Sequence, residues 1–223
     1  MANRKRKSNS GSLGLAIFVT VMLLMAAGLI FIFRQPEVKE TVPKAKKYFS
    51  YPTEYEEYVI KYAKEYEMDP RYIFAVIRTE SSFIETAESE VGARGLMQIM
   101  PDAFDWIKFR LNDDRGLTFD DMYDPEYNIQ YGTYYLSYLY DLFGSYELAS
   151  GAYHQGMNAV QGWIDDGTID PEHFSIDENL DDMPSDLTQD YIYKVMKAFE
   201  KYKENTELEE DMNNGSDEEQ DNG

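Results

Sequence analysis

Residues 13–33, LGLAIFVTVMLLMAAGLIFIF, carry no charged side chain. As an α-helix, at about 1.5 Å per residue, this run would be roughly 31 Å long, enough to cross the hydrocarbon core of a bilayer. A segment this long and apolar must leave water, so it divides the chain into a short head and a long body. Arg4, Lys5, Arg6 and Lys7 precede it. Their charge predicts a basic cytoplasmic tail over residues 1–12 and a body on the far side of the cell membrane. A cleaved signal peptide is the alternative. Its apolar region is usually about 7 to 15 residues and ends at small residues, which Ala26, Ala27 and Gly28 could supply. Leu29 to Phe33 continue the apolar run past that point and favour an uncleaved, single-pass anchor over residues 13–33.

Beyond the anchor, residues 34–50 contain Pro36, Pro43 and the cluster Lys44, Lys46 and Lys47, and read as a stalk. From residue 51 to residue 203 the apolar spacing is helical. Thr53 and Glu56 suggest a capping box, followed by Tyr55, Tyr58, Val59, Tyr62, Ala63 and Tyr66 on one stripe. Asp69-Pro70 is a strong helix start, a cap residue with proline at the first turn. Pro101 opens another helix through Trp106 to Phe109. Asp124-Pro125 starts a long helix that stops at Gly144, with Ile129, Gly132, Leu136, Leu139 and Phe143 facing inward. Ser145 would cap a helix to about Tyr153, and Asn158 one ending near Gly167. Pro171 to Pro184 is acidic and irregular. Thr188 to Tyr202 forms a last helix with Ile192, Val195, Met196 and Phe199 on one side. No alternating strand pattern and no internal repeat interrupts this order. The body is therefore expected to be an all-α domain of about 150 residues, large enough for a real core.

Residues 204–223, ENTELEEDMNNGSDEEQDNG, hold acids and no base, a composition that predicts a disordered tail. The net charge of −21 argues against nucleic acid, whose phosphates need basic partners. The chain has no cysteine, so neither a disulfide framework nor a lipid-modified cysteine is possible. Two histidines, His154 and His173, are too few for a zinc site without cysteine. The pairs Asp113/Asp114 and Asp120/Asp121 lack the spaced DxDxDG pattern of a calcium loop. No metal and no organic cofactor is expected.

The most informative single residue is Glu80. Ile73, Val76, Ile77 and Glu80 are spaced 0, 3, 4 and 7 and share one helix face. A carboxylate that continues an apolar stripe costs free energy unless compensated. The helix is expected to end at Ser81 to Phe83, where the negative end of the helix dipole also disfavours an ionised acid. Both effects push the carboxyl pKa upward, as a general acid near neutral pH requires. A buried structural glutamate held by backbone hydrogen bonds is the other reading of the same pattern.

The segments around Glu80 resemble, in order, the catalytic domain of soluble lytic transglycosylases, which has a fold similar to goose-type lysozyme. ESSF spans Glu80 to Phe83, and SEVGARGLMQIMP spans Ser89 to Pro101. YDPEYNIQYGTYYL, Tyr123 to Leu136, resembles the family's central helix. GAYHQGMNAVQGW, Gly151 to Trp163, resembles its AYN segment, and Tyr191 in QDYIYKVM its late tyrosine. The match covers roughly residues 54 to 203. It implies a lysozyme-like (SLT/goose-type) helical domain in which Glu80 is the catalytic acid and then base. Ser89, Gln98, Met100, Tyr153, His154 and Tyr191 would line the sugar-binding cleft, and Gly92 and Gly95 would allow tight turns. Met100 reads equally as core filler, and Tyr153 and Tyr191 as packing in a chain with 19 tyrosines. His154 stands where the family usually has asparagine. An imidazole can donate or accept a hydrogen bond but cannot offer both amide groups.

Glycoside cleavage usually needs two carboxylates, and no second motif supplies one. The resemblance implies a single-glutamate reaction on peptidoglycan glycan strands. The bond between N-acetylmuramic acid and N-acetylglucosamine is cut, and a 1,6-anhydromuramyl end is formed. Hydrolysis by the same fold (a muramidase) and glycan binding without cleavage are the alternatives.

Overall fold

The computed structural model describes residues 51–204; the anchor, the stalk and, beyond Glu204, the acidic tail expected from the sequence lie outside the described residues. Among the described residues the architecture is all-α: α1 (Glu56–Glu65), α2 (Pro70–Ser81), α3 (Pro101–Leu111), α4 (Pro125–Phe143), α5 (Tyr146–Gln155), α6 (Met157–Asp165) and α7 (Asp186–Lys203). None of these helices is long and apolar enough to cross a membrane. Two short 3-10 helices, Phe119–Tyr123 and Leu180–Asp182, lie in the connections.

The punctuation residues act as their chemistry predicts. The Asp69 side chain accepts from the Arg71 N–H, with Pro70 opening α2. Asp124 accepts from the N–H groups of Glu126 and Tyr127 ahead of α4. Ser145 accepts from Leu148 N–H at the start of α5. These caps satisfy amides that no helical carbonyl can reach. Gly144, at φ +76°, closes α4 in the left-handed conformation that glycine tolerates best.

Two starts differ from expectation. No Thr53/Glu56 box forms; Tyr55 precedes α1 at φ +64° and its side chain makes no capping bond. Asn158 lies inside α6 rather than at its cap, because Gly156, at φ +96°, already turns the chain one residue before Met157. The capping box that does form was not anticipated: Thr118 and Asp121 bond reciprocally around the first 3-10 helix.

Helix α2 is central. Tyr72, Ile73, Phe74, Ala75, Val76 and Ile77 are all fully buried, so neighbours surround this helix on almost every side. It packs along α7, while α5 contacts both α4 and α7. The Tyr72 hydroxyl ties α2 to α5 through the Ser150 hydroxyl at 2.8 Å. Lys61 Nζ and the Tyr62 hydroxyl both donate to Glu126 Oε1, at 2.6 and 3.1 Å, and hold α1 against α4. The expected inner face of α4 is buried. At Gly132 a side chain would collide with Met97, so its absence lets the loop before α3 lie directly on α4. That loop, not a sheet, carries isolated bridges between Glu88 and Arg94 and between Arg94 and Ile99.

Candidate active site

Glu80 occupies the last turn of α2. Ser82 and Phe83 follow in left-handed conformations, φ +50° and +62°, which non-glycine residues adopt only when their surroundings impose it. Phe83 is buried, and the Ser81 hydroxyl donates to the Leu96 carbonyl at 2.7 Å. These contacts press the end of α2 against residues 87–99.

The Glu80 carboxyl is anchored by a side chain from the other end of the domain. The buried Tyr191 of α7 donates its phenolic proton to Glu80 Oε1 at 2.6 Å. Burial raises the Glu80 pKa from 4.5 to about 7, with the Tyr191 bond opposing part of the rise. Removal from water, not a neighbouring carboxylate, is thus the cause of the shift. Tyr153 reaches the same region from α5, and its hydroxyl donates to the Met97 carbonyl at 2.7 Å. Burial first, and the Glu80 charge second, hold both phenols well above their ordinary pKa. Both tyrosines therefore remain hydrogen-bond donors at neutral pH.

His154 adjoins this pair. Its ring stacks on Tyr191 with centroids 4.7 Å apart and planes 26° from parallel. Its Nδ1 lies 3.2 Å from the Thr188 hydroxyl oxygen. A groove of about 710 Å³ opens beside it between α3, α4 and the α5–α6 junction, with Met100, Trp106, Tyr135, Tyr153, His154 and Asn158 among its walls. Glu80 does not line this groove. It connects to the edge through Tyr191, which stacks on His154.

Ser89 and Gln98 are used differently. The Ser89 hydroxyl accepts from Ala93 N–H at 3.0 Å and shapes the turn around Gly92. The Gln98 amide donates to the carbonyls of Ala87 and Gly95, at 3.2 and 3.0 Å. Those two bonds compensate the polar group on an apolar segment, and Gln98 itself sits at φ +49°. The loop rests on Asn128, a fully buried residue of α4. Asn128 Oδ1 accepts from Met97 N–H at 2.7 Å, and Nδ2 donates to the carbonyls of Arg94 and Met122 at 2.9 and 2.8 Å. Gly95, at φ +76°, passes so close that a Cβ would collide with the Met122 carbonyl and the Asn128 amide.

Three of the four paired aspartates, Asp113, Asp120 and Asp121, have protein partners. Asp113 accepts from Arg115 and from the Tyr131 hydroxyl at 2.8 Å, which hold its carboxyl well below the usual range. Asp120 pairs with Arg94 at 2.6 Å, and Asp121 completes the Thr118 box. Among the described residues no three His, Cys, Asp or Glu side chains converge as a metal site.

Sequence reasoning missed Asn128, Thr188, Trp106 and Tyr135. For Asn128 a signal existed: it lies four residues before Gly132 and eight before Leu136, a polar residue on a buried stripe.

The model of the transglycosylase SLT domain family matches residues 57–171. Over 157 residues the chain is 34% identical to the soluble lytic murein transglycosylase of Salmonella typhimurium, a match that covers 68% of this chain and 23% of that protein. Over 167 residues it is 33% identical to the membrane-bound lytic murein transglycosylase C of Actinobacillus pleuropneumoniae serotype 5b, covering 65% of this chain and 44% of that one. Among solved structures, an inactive mutant of the lytic transglycosylase Slt of Pseudomonas aeruginosa, carrying glutamine in place of a glutamate, superposes with a TM-score of 0.65 at 26% identity. That match covers 82% of this chain and 30% of the other. The chain thus spans less than half the length of each of these proteins.

Proposed function

The chain belongs to the transglycosylase SLT domain family, and on that premise we propose that it is a membrane-anchored peptidoglycan lytic transglycosylase with Glu80 as its single catalytic acid and base. One observation carries the reading: a carboxyl at the end of a buried helix, raised to about 7 and fixed by a phenolic donor on one oxygen. With Oε1 held by Tyr191, Oε2 is left to carry the proton toward a bound glycan. That proton passes to the oxygen linking N-acetylmuramic acid to N-acetylglucosamine as the C1–O4 bond breaks. The resulting carboxylate takes the proton of the muramic acid's own 6-hydroxyl, and O6 bonds to C1. Glu80 ends protonated, no water is consumed, and the product is a 1,6-anhydromuramyl end. Because the nucleophile belongs to the same sugar, no second carboxylate is needed to position water.

The groove beside His154 is the companion glycan site in this reading, with Met100 and Tyr153 on its walls. Aromatic and thioether walls suit the apolar face of a sugar ring, while Asn158 and His154 supply polar edges. Ser89 and Gln98 act on the cleft through the loop they brace. Residues 51–203 form the catalytic domain. Residues 13–33 anchor it to the cytoplasmic membrane, residues 34–50 set its reach into the wall, and residues 204–223 form an acidic tail. Support for membrane attachment comes from the uncharged run itself and from a relative named as membrane-bound.

The test is mass spectrometry of fragments released from purified peptidoglycan by the full-length protein and by Glu80→Gln. Fragments lighter by one water than the hydrolysis products, and absent with the variant, are expected. Glu80-dependent fragments of hydrolytic mass would make the protein a muramidase. Full activity in the variant would remove Glu80 from the chemistry.

A further inference from the structure

The surroundings of His154 bear on which of its nitrogens carries the proton. Thr188 is fully buried on α7. Its hydroxyl oxygen lies 2.9 Å from Gln155 Oε1, 3.0 Å from Ser185 Oγ and 3.2 Å from His154 Nδ1. The Thr188 hydroxyl donates to the Gln155 oxygen, an atom that can only accept, whereas Ser185 Oγ can itself donate to Thr188. With its proton placed toward Gln155, the Thr188 oxygen offers His154 a lone pair, an arrangement that favours the N–H on Nδ1. Nε2 is left as a bare acceptor on the opposite edge of a ring that borders the groove. The stack on Tyr191 holds the ring in this orientation.

We propose that His154 is a substrate-positioning residue that accepts, through Nε2, a hydrogen bond from the acetamido N–H of a hexosamine in the groove, and that protonation of the ring releases this contact. The inference rests on reading the groove as a glycan site. An amide N–H can only donate, so an imidazolium facing it leaves two donors opposed. A sugar hydroxyl would merely turn and accept, which is why the acid response identifies the ligand group. Asparagine at this position would offer a donor and an acceptor at every pH.

The groups that bear on the ring's charge are few. From α7 they are Lys194 and Tyr191. Glu80 of α2 lies beyond Tyr191, Asp102 of α3 stands on the groove wall, and Tyr153 is its neighbour on α5. Burial and then Lys194 push the imidazole below its ordinary 6.5, so the neutral ring is the resident form at neutral pH.

The experiment uses the full-length chain in detergent micelles carrying Glu80→Gln, which blocks turnover and removes the other cleft group titrating near neutrality. Two readouts are taken. With 15N-labelled histidine only two rings report. They separate because Asp170 raises the His173 pKa while the pKa of His154 is lowered. The second readout is the Kd for hexa-N-acetylchitohexaose between about pH 8 and about pH 5. The Nδ1–H tautomer is expected at high pH. Binding is expected to weaken about tenfold as His154 protonates, and to stay flat when His154→Asn is added. An Nε2–H tautomer, a flat Kd, the same pH response in the asparagine variant, or no binding at any pH would each overturn the proposal. If Kd follows His154 while the parent enzyme releases no glycan, the proposed function fails and this inference stands. If glycan is cleaved but Kd is flat, only this inference fails.

Discussion

The raised carboxyl of Glu80 has a consequence for stability that is independent of any substrate. Its pKa is ordinarily 4.5 and is lifted to about 7 by burial. Between those values the unfolded chain has released a proton that the folded one keeps. Stability therefore falls as pH rises through this window and levels off above it. At about 1.4 kcal/mol per pH unit, the loss amounts to about 3 kcal/mol. Glutamine copies the shape of the protonated carboxyl, and its carbonyl oxygen can still accept from Tyr191. Glu80→Gln is therefore expected to match the parent near about pH 4.5 and to exceed it by about 3 kcal/mol near about pH 8. Guanidinium denaturation followed by the fluorescence of Trp106 and Trp163 measures both. An equal difference at the two pH values, or a variant less stable at the higher one, would refute the assignment of the shift to desolvation.

Three further substitutions probe the site's supports. Tyr191→Phe removes the donor that holds the Glu80 pKa down, so the alkaline limb of the pH–rate profile should move up by about one pH unit; an unmoved limb would mean the bond does not bear on the acid. Asn128→Ala strips partners from one buried N–H and two carbonyls, and urea unfolding should show a loss of about 3 kcal/mol. Gly95→Ala places a methyl group against the Met122 carbonyl and the Asn128 amide, and a melting temperature within experimental error of the parent would contradict that close approach.

The helices were legible wherever one residue type does one local job. Asp69-Pro70, Asp124-Pro125 and Ser145 mark starts because their oxygens reach amides only two or three residues ahead. The errors at Tyr55 and Asn158 share a cause. In both, backbone conformation alone turns the chain, Tyr55 at φ +64° and Gly156 at φ +96°, and the side chain that looked like a cap is not used. The stripe on α2 was visible as Ile73, Val76 and Ile77. Burial of Tyr72, Phe74 and Ala75 as well depends on α7, which lies more than a hundred residues later, and periodicity within one helix cannot anticipate that.

The same division runs through the site. Glu80 could be singled out because a carboxylate on an apolar face is locally anomalous, and the expected rise in its pKa needs only burial. What holds it could not be read that way. Tyr191 is one tyrosine among 19, and only folding shows that its hydroxyl, rather than backbone amides, meets Glu80. Asn128 serves Arg94, Met97 and Met122 at once, three residues that sequence spacing does not connect. Thr188 looked like the first residue of a helix, yet its single proton governs the tautomer argued for His154. A polar residue that pairs with its near neighbours leaves a pattern in sequence, whereas one that satisfies groups from other elements leaves only an isolated polar letter on an apolar stripe. Glu80 and Asn128 are both such letters, and each has its partner on a different element, whereas Gln98 bonds Ala87 and Gly95 within its own loop. An isolated polar residue on a predicted core face of a helical domain is therefore a pointer to where a loop beside the candidate site is fastened, even when the residue it fastens cannot be named in advance.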